Sequence, residues 1–253
     1  MKVSLVQMDI DWGNPQENIR RAESLIDRQD ADLYVLPEMW STGYSICPED
    51  VAEDERDSLA LRWMQCVAAE RACAISGSLA VRDEAGYCFN RHYFVMGKTM
   101  KYYDKHHLFT FARENMNYQA GNDHVIVEYK GFRFLLLTCY DLRFPLWSRY
   151  GYAGEFDAII YVANWPEARQ DAWDTLLRAR AIENQCYVIG VNRVGVERKT
   201  TFTGGSVVIN PSGRLLASCE SCVGSCLAQL DIEMVKDVRQ RFPVLDDRDY
   251  PIV

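Results

Sequence analysis

Residues 158–191 read AIIYVANWPEARQDAWDTLLRARAIENQCYVIGV and decide the fold class. The apolar runs at 158–162 and 187–191 have the length and the β-branched content of buried strands. Residues 171–184 between them carry apolar side chains at helical spacing. A helix that connects two buried strands is typical of a parallel β-α-β unit, so this segment predicts an α/β protein.

Hairpins and further strand–helix units surround this segment. Residues 14–17, Asn-Pro-Gln-Glu, begin a helix, because they supply an N-cap, a proline at the first helical position and a glutamate three residues after the cap. Residues 88–103 and 125–138 each predict an antiparallel hairpin. Since hairpins pair antiparallel and strand–helix–strand units pair parallel, we predict one α/β domain over residues 1–253, with two mixed sheets covered by helices. The remaining predicted strands are 3–8, 33–36, 74–81, 207–209, 215–217 and 227–230, and the remaining predicted helices are 56–72, 145–153 and 234–242.

The composition excludes several classes of protein. The 253 residues include 28 Lys and Arg against 36 Asp and Glu, and this acidic balance argues against nucleic-acid binding, which needs a basic face. No apolar run approaches the ~18 residues of a membrane span, and the first residues lack the long apolar region of a signal peptide. We therefore expect a cytoplasmic protein without a membrane partner. Its nine cysteines follow no disulfide framework, so most are expected to be buried thiols.

Three reactive side chains each follow a predicted strand. Glu38 lies in the segment LPEMW, Lys105 in YYDKHHLF and Cys139 in FLLLTCYDLRFP. Loops at the ends of strands are where binding and catalytic residues concentrate. The three residues are therefore the first candidates for a catalytic site.

Cys139 is the candidate nucleophile. A single cysteine is more often a buried structural thiol. Here Asp141 and Arg143 follow at once, and Pro145 begins a predicted helix. A thiol beside a helix start and a cation has a lowered pKa, which favours the thiolate form that attacks carbonyl carbon.

The base that would activate this thiol is less obvious. The four histidines lack the context of a known Cys–His signature. Glu38 follows an apolar strand and a proline, so we expect desolvation to raise its pKa toward the range of a general base. Taken alone, Glu38 is equally compatible with a surface carboxylate, and Lys105 with a solvated loop lysine. His106 and His107 remain the alternative bases.

In this order, the three motifs resemble the signatures of the nitrilase, or carbon–nitrogen hydrolase, superfamily. The resemblance implies a four-layer αββα sandwich, a Glu38–Lys105–Cys139 triad, and neither a metal nor a cofactor. It implies that Glu38 takes the thiol proton and that Cys139 attacks an amide carbon. The oxyanion would then be held by Lys105 and the backbone N–H of Tyr140. A second glutamate of the family pattern corresponds to Glu114, which would orient the lysine.

Two further segments, at 161–166 and 179–184, are similar to the omega-amidase branch of this superfamily. That similarity implies a small dicarboxylic acid monoamide as substrate, such as 2-oxoglutaramate or 2-oxosuccinamate. A sibling activity on an N-carbamoyl amino acid or on deaminated glutathione is the alternative. The alternative outside the enzymes is a binding protein without catalytic activity, and the intact triad argues against it.

The substrate pocket is predicted from charge and aromatic content. An anionic substrate requires a fixed cation, and we expect Arg143 to bind its carboxylate. A structural ion pair of Arg143 with Asp141 or with a helix carboxylate is the alternative. Aromatic residues from loops beside the motifs are expected to wall a narrow pocket: Tyr44, Phe111, Tyr118 and Trp165.

A cysteine cluster raises the question of a metal. Cys219, Cys222 and Cys226 include the C-x₂-C spacing of zinc sites, but a matching partner pair is missing. We therefore expect a turn with incidental thiols and no metal site.

The protein is expected to be a homodimer or a larger homo-oligomer. The resemblance implies pairing through the helices that flank the nucleophile region, at 145–153 and 171–184. The first of these segments carries large apolar side chains beyond the needs of one buried face, which suggests a partner surface: Leu146, Trp147, Tyr150 and Tyr152.

Overall fold

Two mixed β-sheets form the centre of the structure, a computed structural model that describes residues 1–28 and 30–249. The first sheet contains β1 (Lys2–Gln7), β2 (Leu33–Val35), β3 (Glu53–Asp54), β4 (Ala74–Arg82), β5 (Cys88–Met96), β6 (Thr99–Asp104) and β15 (Gly224–Gln229). The second contains β7 (Ile126–Tyr129), β8 (Phe132–Thr138), β9 (Ala158–Ala163), β10 (Tyr187–Asn192), β13 (Val207–Ile209) and β14 (Leu215–Ser218). A separate hairpin pairs β11 (Val194–Glu197) with β12 (Thr200–Thr203).

The pairing within each sheet confirms the prediction of mixed sheets. In the first sheet the order is β15-β1-β2-β4-β5-β6, with β1, β2 and β4 parallel and the outer strands antiparallel. In the second sheet the order is β14-β13-β10-β9-β8-β7, with β8, β9 and β10 parallel. The segment 158–191 is the β9–α3–β10 unit of this second sheet.

The helices cover the outer faces of the two sheets. The structure contains α1 (Pro15–Ile26), α2 (Leu59–Glu70), α3 (Gln170–Asn184) and α4 (Ile232–Arg241). α1 begins as predicted, because the Asn14 side chain accepts a hydrogen bond from the Glu17 N–H. Apolar residues of α1 and α2 pack on the first sheet, and Trp173 and Leu177 of α3 pack on the second. The layers are therefore α, β, β and α, as the sequence predicts.

The core lies between the sheets, and a buried polar contact joins them across it. Leu5, Val35 and Phe94 of the first sheet meet residues such as Phe134 of the second in a single buried cluster. His92 of β5 is fully buried, and its Nδ1 donates to the carbonyl oxygen of Leu137 in β8, 3.1 Å away. Burial lowers the pKa of His92 to about 3, so the ring is neutral at physiological pH. This histidine ties one sheet to the other.

One predicted helix is wrong, and one hairpin of the structure was not predicted. The predicted helix at 145–153 is a single 3₁₀ turn, Leu146–Ser148, because Arg149 returns to extended geometry and Gly151 has φ +90°. The β11–β12 hairpin is absent from the prediction, because its turn residues Arg198 and Lys199 lack the usual Asn-Gly signal. Arg198 nevertheless adopts φ +55° in that turn.

None of the helices within residues 1–28 and 30–249 is long and apolar enough to cross a membrane.

Candidate active site

The three predicted residues converge at one end of the sandwich. Glu38 follows β2, Lys105 follows β6 and Cys139 follows β8. The loops after these strands meet at the base of a cavity of about 220 Å³, and all three residues line it. Cavities of this kind are the usual place for small-molecule chemistry.

A buried lysine joins two carboxylates at the base of the cavity. Lys105 Nζ donates to Glu38 Oε1 at 2.9 Å and to Glu114 Oε2 at 2.9 Å. All three side chains are fully buried. Burial opposes the charge of the ammonium, but the carboxylates of Glu114 and Glu38 prevail and raise the pKa of Lys105 well above its ordinary value. The lysine therefore carries a positive charge at any working pH.

Both oxygens of Glu38 are fixed by further donors. The Asn90 side chain donates to Glu38 Oε1 at 2.8 Å, and the Asn164 backbone N–H donates to Oε2 at 2.8 Å. The Asn164 side chain also donates to the Glu38 carbonyl oxygen at 2.5 Å. Sequence reasoning missed both asparagines. Asn164 directly follows β9, so the strand-end criterion that selected Glu38 also applies to it.

Glu114 is held as firmly as Glu38. Its Oε2 accepts from the Phe109 backbone N–H at 2.6 Å, and its Oε1 accepts from Asn90 at 3.3 Å. Asn90 thus bridges the two carboxylates that flank Lys105. The arrangement orients the ammonium toward one fixed position at the base of the cavity.

Cys139 occupies a sharp turn between β8 and a 3₁₀ turn. Its φ is +45°, in the left-handed region that side chains other than glycine rarely adopt, and the 3₁₀ turn Cys139–Arg143 begins at this residue. Asp141 holds the turn, since its Oδ2 accepts from the Thr138 N–H at 2.9 Å and from the Tyr103 hydroxyl at 2.8 Å. Such backbone strain persists where the surroundings impose it, and it clusters at functional sites.

The protonation of Cys139 differs from the expectation. Burial and the neighbouring charge of Glu38, to which the thiol donates a hydrogen bond, raise the pKa of Cys139 well above its ordinary value, although Lys105 acts in the opposite direction. The prediction of a lowered pKa rested on a cation and a helix start near the sulfur, and burial together with the negative charge of Glu38 outweighs these effects. At neutral pH the resting side chain is therefore a thiol hydrogen-bonded to Glu38.

The two alternative bases serve other contacts. His107 donates its backbone N–H to Asp141 Oδ1 at 3.0 Å, and its Nδ1 lies 2.9 Å from the same oxygen. The His106 ring stacks on Trp147 with centroids 3.7 Å apart. Both rings lie behind the Cys139 turn, outside the cavity that Glu38 lines.

The cavity is also lined by four residues that the sequence analysis named as substrate or oxyanion contacts: Tyr44, Tyr140, Arg143 and Trp165. The Tyr44 ring lies 5.6 Å from Lys105 Nζ, and its buried hydroxyl has no hydrogen-bond partner among the described residues. The Arg143 guanidinium lies over the Trp165 ring at 4.8 Å. The alternative ion pair with Asp141 is wrong, because Asp141 is occupied by the contacts that hold the Cys139 turn.

Phe111 and Tyr118 do not line the cavity, so the prediction that they wall the pocket is wrong. Phe111 is 84% exposed, whereas Tyr118 is buried in a separate apolar cluster with Met39 and Leu108. Arg113, at φ +63°, separates two short 3₁₀ turns in this loop. Phe109 and Ala112 of the same loop face the cavity instead.

Two elements that the sequence did not reveal complete the cavity wall. Glu197, Thr200 and Phe202 come from the β11–β12 hairpin, and Arg169 comes from the 3₁₀ turn Glu167–Arg169. Glu197 is held by Arg193, whose Nη1 donates to Oε2 at 2.5 Å. The hairpin carries no turn signal, so its contribution required the structure.

The cysteine cluster forms no metal centre in the described part of the chain. Cys219 and Cys226 lie with their sulfur atoms 2.7 Å apart, and Cys222 is exposed in the turn between them. Within residues 1–28 and 30–249, no group of three or more His, Cys, Asp and Glu side chains is placed to hold a metal ion.

Comparison with known proteins finds relatives over nearly the whole chain. The sequence model of the family described as Carbon-nitrogen hydrolase matches residues 2–240. A protein of Escherichia coli strain K12 named Omega-amidase YafV is 39% identical over 255 residues, covering 98% of this chain and 97% of that protein. A protein of Bacillus subtilis strain 168 named 2-oxoglutaramate amidase is 38% identical over 250 residues, covering 97% of this chain and 96% of that protein.

Solved structures agree with the sequence comparisons. A carbon–nitrogen hydrolase superfamily protein of Xanthomonas campestris, solved with an arsenic adduct in its active site, superposes with a TM-score of 0.94 at 37% identity. The match covers 100% of this chain and 98% of that one. A nitrilase superfamily member of Saccharomyces cerevisiae superposes with a TM-score of 0.86 at 25% identity, covering 96% and 94% of the two chains.

Proposed function

The chain belongs to the carbon–nitrogen hydrolase family, and from that premise we propose that it is an omega-amidase that hydrolyses 2-oxoglutaramate through an acyl-enzyme on Cys139. The observation that carries this proposal is the Lys105 ammonium held between Glu38 and Glu114 beside the Cys139 thiol. The names of the two curated relatives support the substrate. 2-Oxosuccinamate, one methylene shorter, is proposed as a second substrate.

Acylation begins with the thiol protonated and hydrogen-bonded to Glu38. Glu38 accepts the proton as Cys139 Sγ attacks the amide carbon, so the attack does not require a stable thiolate beforehand. The oxyanion that forms accepts hydrogen bonds from Lys105 Nζ and from the Tyr140 backbone N–H. Glu38 then gives its proton to the amide nitrogen, the C–N bond breaks, and ammonia leaves.

Deacylation uses the same groups in the reverse order. Glu38, again a carboxylate, takes a proton from water, and the oxygen attacks the thioester carbon. Lys105 and the Tyr140 N–H hold the second oxyanion, the C–S bond breaks, and the proton returns from Glu38 to Cys139. Glu114 holds Lys105 in place through both steps.

Arg143 is proposed to bind the carboxylate at the far end of the substrate. Its guanidinium lines the cavity and is stacked on Trp165. In the described part of the chain, no carboxylate forms an ion pair with it. A guanidinium fork matches a carboxylate bidentately, which fixes the orientation of a linear substrate.

A panel of substrates tests the proposed function. Ammonia release is measured with 2-oxoglutaramate, glutamine, an N-carbamoyl amino acid and a simple nitrile. We expect 2-oxoglutaramate to give the highest kcat/KM and Cys139→Ser to abolish turnover while the fold is retained. A higher kcat/KM on the N-carbamoyl amino acid would assign a sibling activity. The absence of ammonia from every compound would favour a silent binding protein.

We further propose that the chain is one domain and acts in the cytoplasm as a homodimer or larger homo-oligomer. The match of a single family model over residues 2–240 supports one domain. The nine free thiols support a reducing compartment. Exposed apolar side chains on the two predicted contact segments support the oligomer.

A further inference from the structure

A second guanidinium faces the cavity, and the mechanism above does not use it. Arg169 lies at the end of the 3₁₀ turn Glu167–Arg169 and lines the cavity with Arg143. Its Cζ lies 5.4 Å from the centre of the Phe109 ring, and the residue is half-buried. Phe109 belongs to the loop that also holds Glu114. Arg169 therefore borders the same space that the substrate must enter.

The buried indole of Trp165 contacts both arginines. The Arg143 guanidinium lies 4.8 Å from the centre of the Trp165 ring, while Trp165 Nε1 donates to the Arg169 carbonyl oxygen at 2.8 Å. Trp165 is 3% exposed and is itself fixed, because its backbone N–H donates to the Asn192 side chain at 2.7 Å. The turn that carries Arg169 is thus anchored to the ring on which Arg143 rests.

Neither guanidinium is neutralised by the residues around it. Within residues 1–28 and 30–249, no carboxylate forms an ion pair with Arg143 or Arg169. The acidic residues of the cavity have other partners, since Glu38 pairs with Lys105 and Glu197 pairs with Arg193. A guanidinium remains charged at every physiological pH. Two such charges on one small cavity are expected to attract an anionic ligand and to repel a cationic one.

We propose that Arg169 is a specificity-determining residue that binds the substrate carboxylate together with Arg143 and excludes α-amino acid amides. This inference rests on the proposed function and extends it to the group on the carbon beside the carboxylate. In 2-oxoglutaramate that carbon carries an oxo oxygen, which accepts hydrogen bonds from a guanidinium. In glutamine it carries an ammonium, which two guanidiniums repel. The pair of arginines therefore selects the oxo acid amide over the amino acid amide.

The test compares Arg169→Ala with Arg169→Lys and with a charge-matched control. Arg28→Ala is the control, because Arg28 is exposed after α1, outside the cavity and both proposed contact segments, and its removal lowers the net charge equally. Steady-state kinetics are measured on 2-oxoglutaramate, on glutamine and on pentanamide, which is uncharged. We expect Arg169→Ala to reduce kcat/KM for 2-oxoglutaramate by about 10-fold or more, mainly through KM, as for the loss of a charge-assisted hydrogen bond.

The other substrates separate binding from structure. Arg169→Ala should leave pentanamide hydrolysis within about 2-fold of wild type. The same variant should reduce the ratio of kcat/KM for 2-oxoglutaramate to that for glutamine. Arg169→Lys should restore part of this ratio, because lysine keeps the charge but lacks the guanidinium fork. An equal loss on pentanamide and 2-oxoglutaramate would make Arg169 a structural residue, and unchanged kinetics would remove it from the site. Either result overturns only the role of Arg169. A wild-type protein that ignores 2-oxoglutaramate overturns the proposed function itself.

Discussion

At the scale of single residues, the charge of Glu38 acts on Cys139 in two opposite ways. It raises the pKa of the thiol, which lowers the concentration of thiolate at rest. The Glu38 carboxylate also accepts the thiol proton during attack, and this proton transfer makes the sulfur a nucleophile. We therefore expect the resting thiol to react slowly with alkylating reagents and to become a nucleophile as the substrate reacts.

Glu38→Gln separates these two effects. We predict a loss of amide hydrolysis of roughly 10²- to 10⁴-fold, because the amide cannot accept the proton. The same change removes the negative charge that raises the Cys139 pKa while Lys105 remains, so the pKa of the thiol should fall. The alkylation rate of Cys139 by iodoacetamide near pH 7, measured by peptide mass spectrometry, should therefore increase.

The exposed thiols of the same protein provide the internal control for this experiment. Cys47, Cys66 and Cys222 lie at the surface, and their alkylation should not change in Glu38→Gln. Hydrolysis at the wild-type rate would remove Glu38 as the base. Slower alkylation of Cys139 would show that the Glu38 carboxylate promotes the thiolate at rest, which contradicts the pKa effect stated above.

Some site residues can be identified from the sequence alone, whereas the role of others becomes clear only from their contacts in the folded protein. Glu38, Lys105 and Cys139 follow strands and carry reactive groups, so position and chemistry both single them out. Asn90 lies in the middle of β5 and acts only because folding places it between two glutamates. Such a role depends on contacts between residues 38, 90 and 114, which periodicity along the chain does not encode.

At the scale of elements, the turn after β8 is the part on which the site depends most. Asp141 is fully buried and accepts hydrogen bonds from the Thr138 N–H, the Tyr103 hydroxyl and the His107 N–H. These contacts join the turn to the loop after β6 and thereby connect Cys139 to the element that carries Lys105. Asp141 therefore helps to fix the position of Cys139 relative to Lys105.

Asp141→Asn tests this role. The amide replaces one acceptor with a donor, so at least one of the buried donors loses its partner, at a cost of about 1–3 kcal/mol in the free energy of unfolding. We predict a lower kcat on 2-oxoglutaramate with little change in KM, because Asp141 does not line the cavity. Urea denaturation and steady-state kinetics measure the two effects. A change confined to KM would contradict a positioning role and would place Asp141 in substrate binding.

Some secondary-structure elements can be predicted from the sequence more readily than others. The strand–helix–strand unit at 158–191 has strong periodicity at each step, and the structure confirms it. The β11–β12 hairpin turns through Arg198 and Lys199 and is stabilised by the buried Arg193 beneath it, which donates to Glu197 and to the Ile10 carbonyl oxygen. Tertiary contacts across more than 180 residues therefore replace the local turn signal.

At the scale of the whole molecule, His92 couples the stability of the sandwich to pH. The unfolded chain binds a proton at this ring below about pH 6.5, whereas burial delays protonation in the folded protein to about pH 3. Between these values the unfolded state binds more protons, so the free energy of unfolding falls as the pH falls. The contribution between pH 7 and pH 4.5 is about 2–3 kcal/mol.

His92→Gln should flatten this dependence. Glutamine does not titrate, and its amide can still donate toward the Leu137 carbonyl oxygen. We predict that the variant is less stable than wild type at pH 7 but loses less stability on acidification to pH 4.5. Urea denaturation at both pH values gives the comparison, and the shared carboxylates cancel between the two proteins. Parallel pH profiles would assign the acid sensitivity to groups other than His92.

Exposed apolar side chains on two surface segments predict that the protein self-associates. Leu146 is 49% exposed, Tyr152 is 40% exposed and Ile182 on α3 is 51% exposed. The first two lie in the segment 145–153 and the third in the segment 171–184, so both proposed contact segments present apolar side chains to solvent. Apolar residues grouped beyond the needs of the core are typical of an interface between subunits.

Light scattering at micromolar concentration should therefore give the mass of a dimer or larger assembly, against 29.1 kDa for one chain. Leu146→Asp and Ile182→Asp should shift the mass toward the monomer, because a charge buried at an interface loses its hydration without a partner. Val223→Asp is the matched control, since Val223 is equally exposed in the turn before β15, outside both segments. A wild-type monomer would contradict the proposal. An assembly that both interface variants leave intact would place the contact on another face, because a dimer held by these two segments cannot accommodate either buried carboxylate.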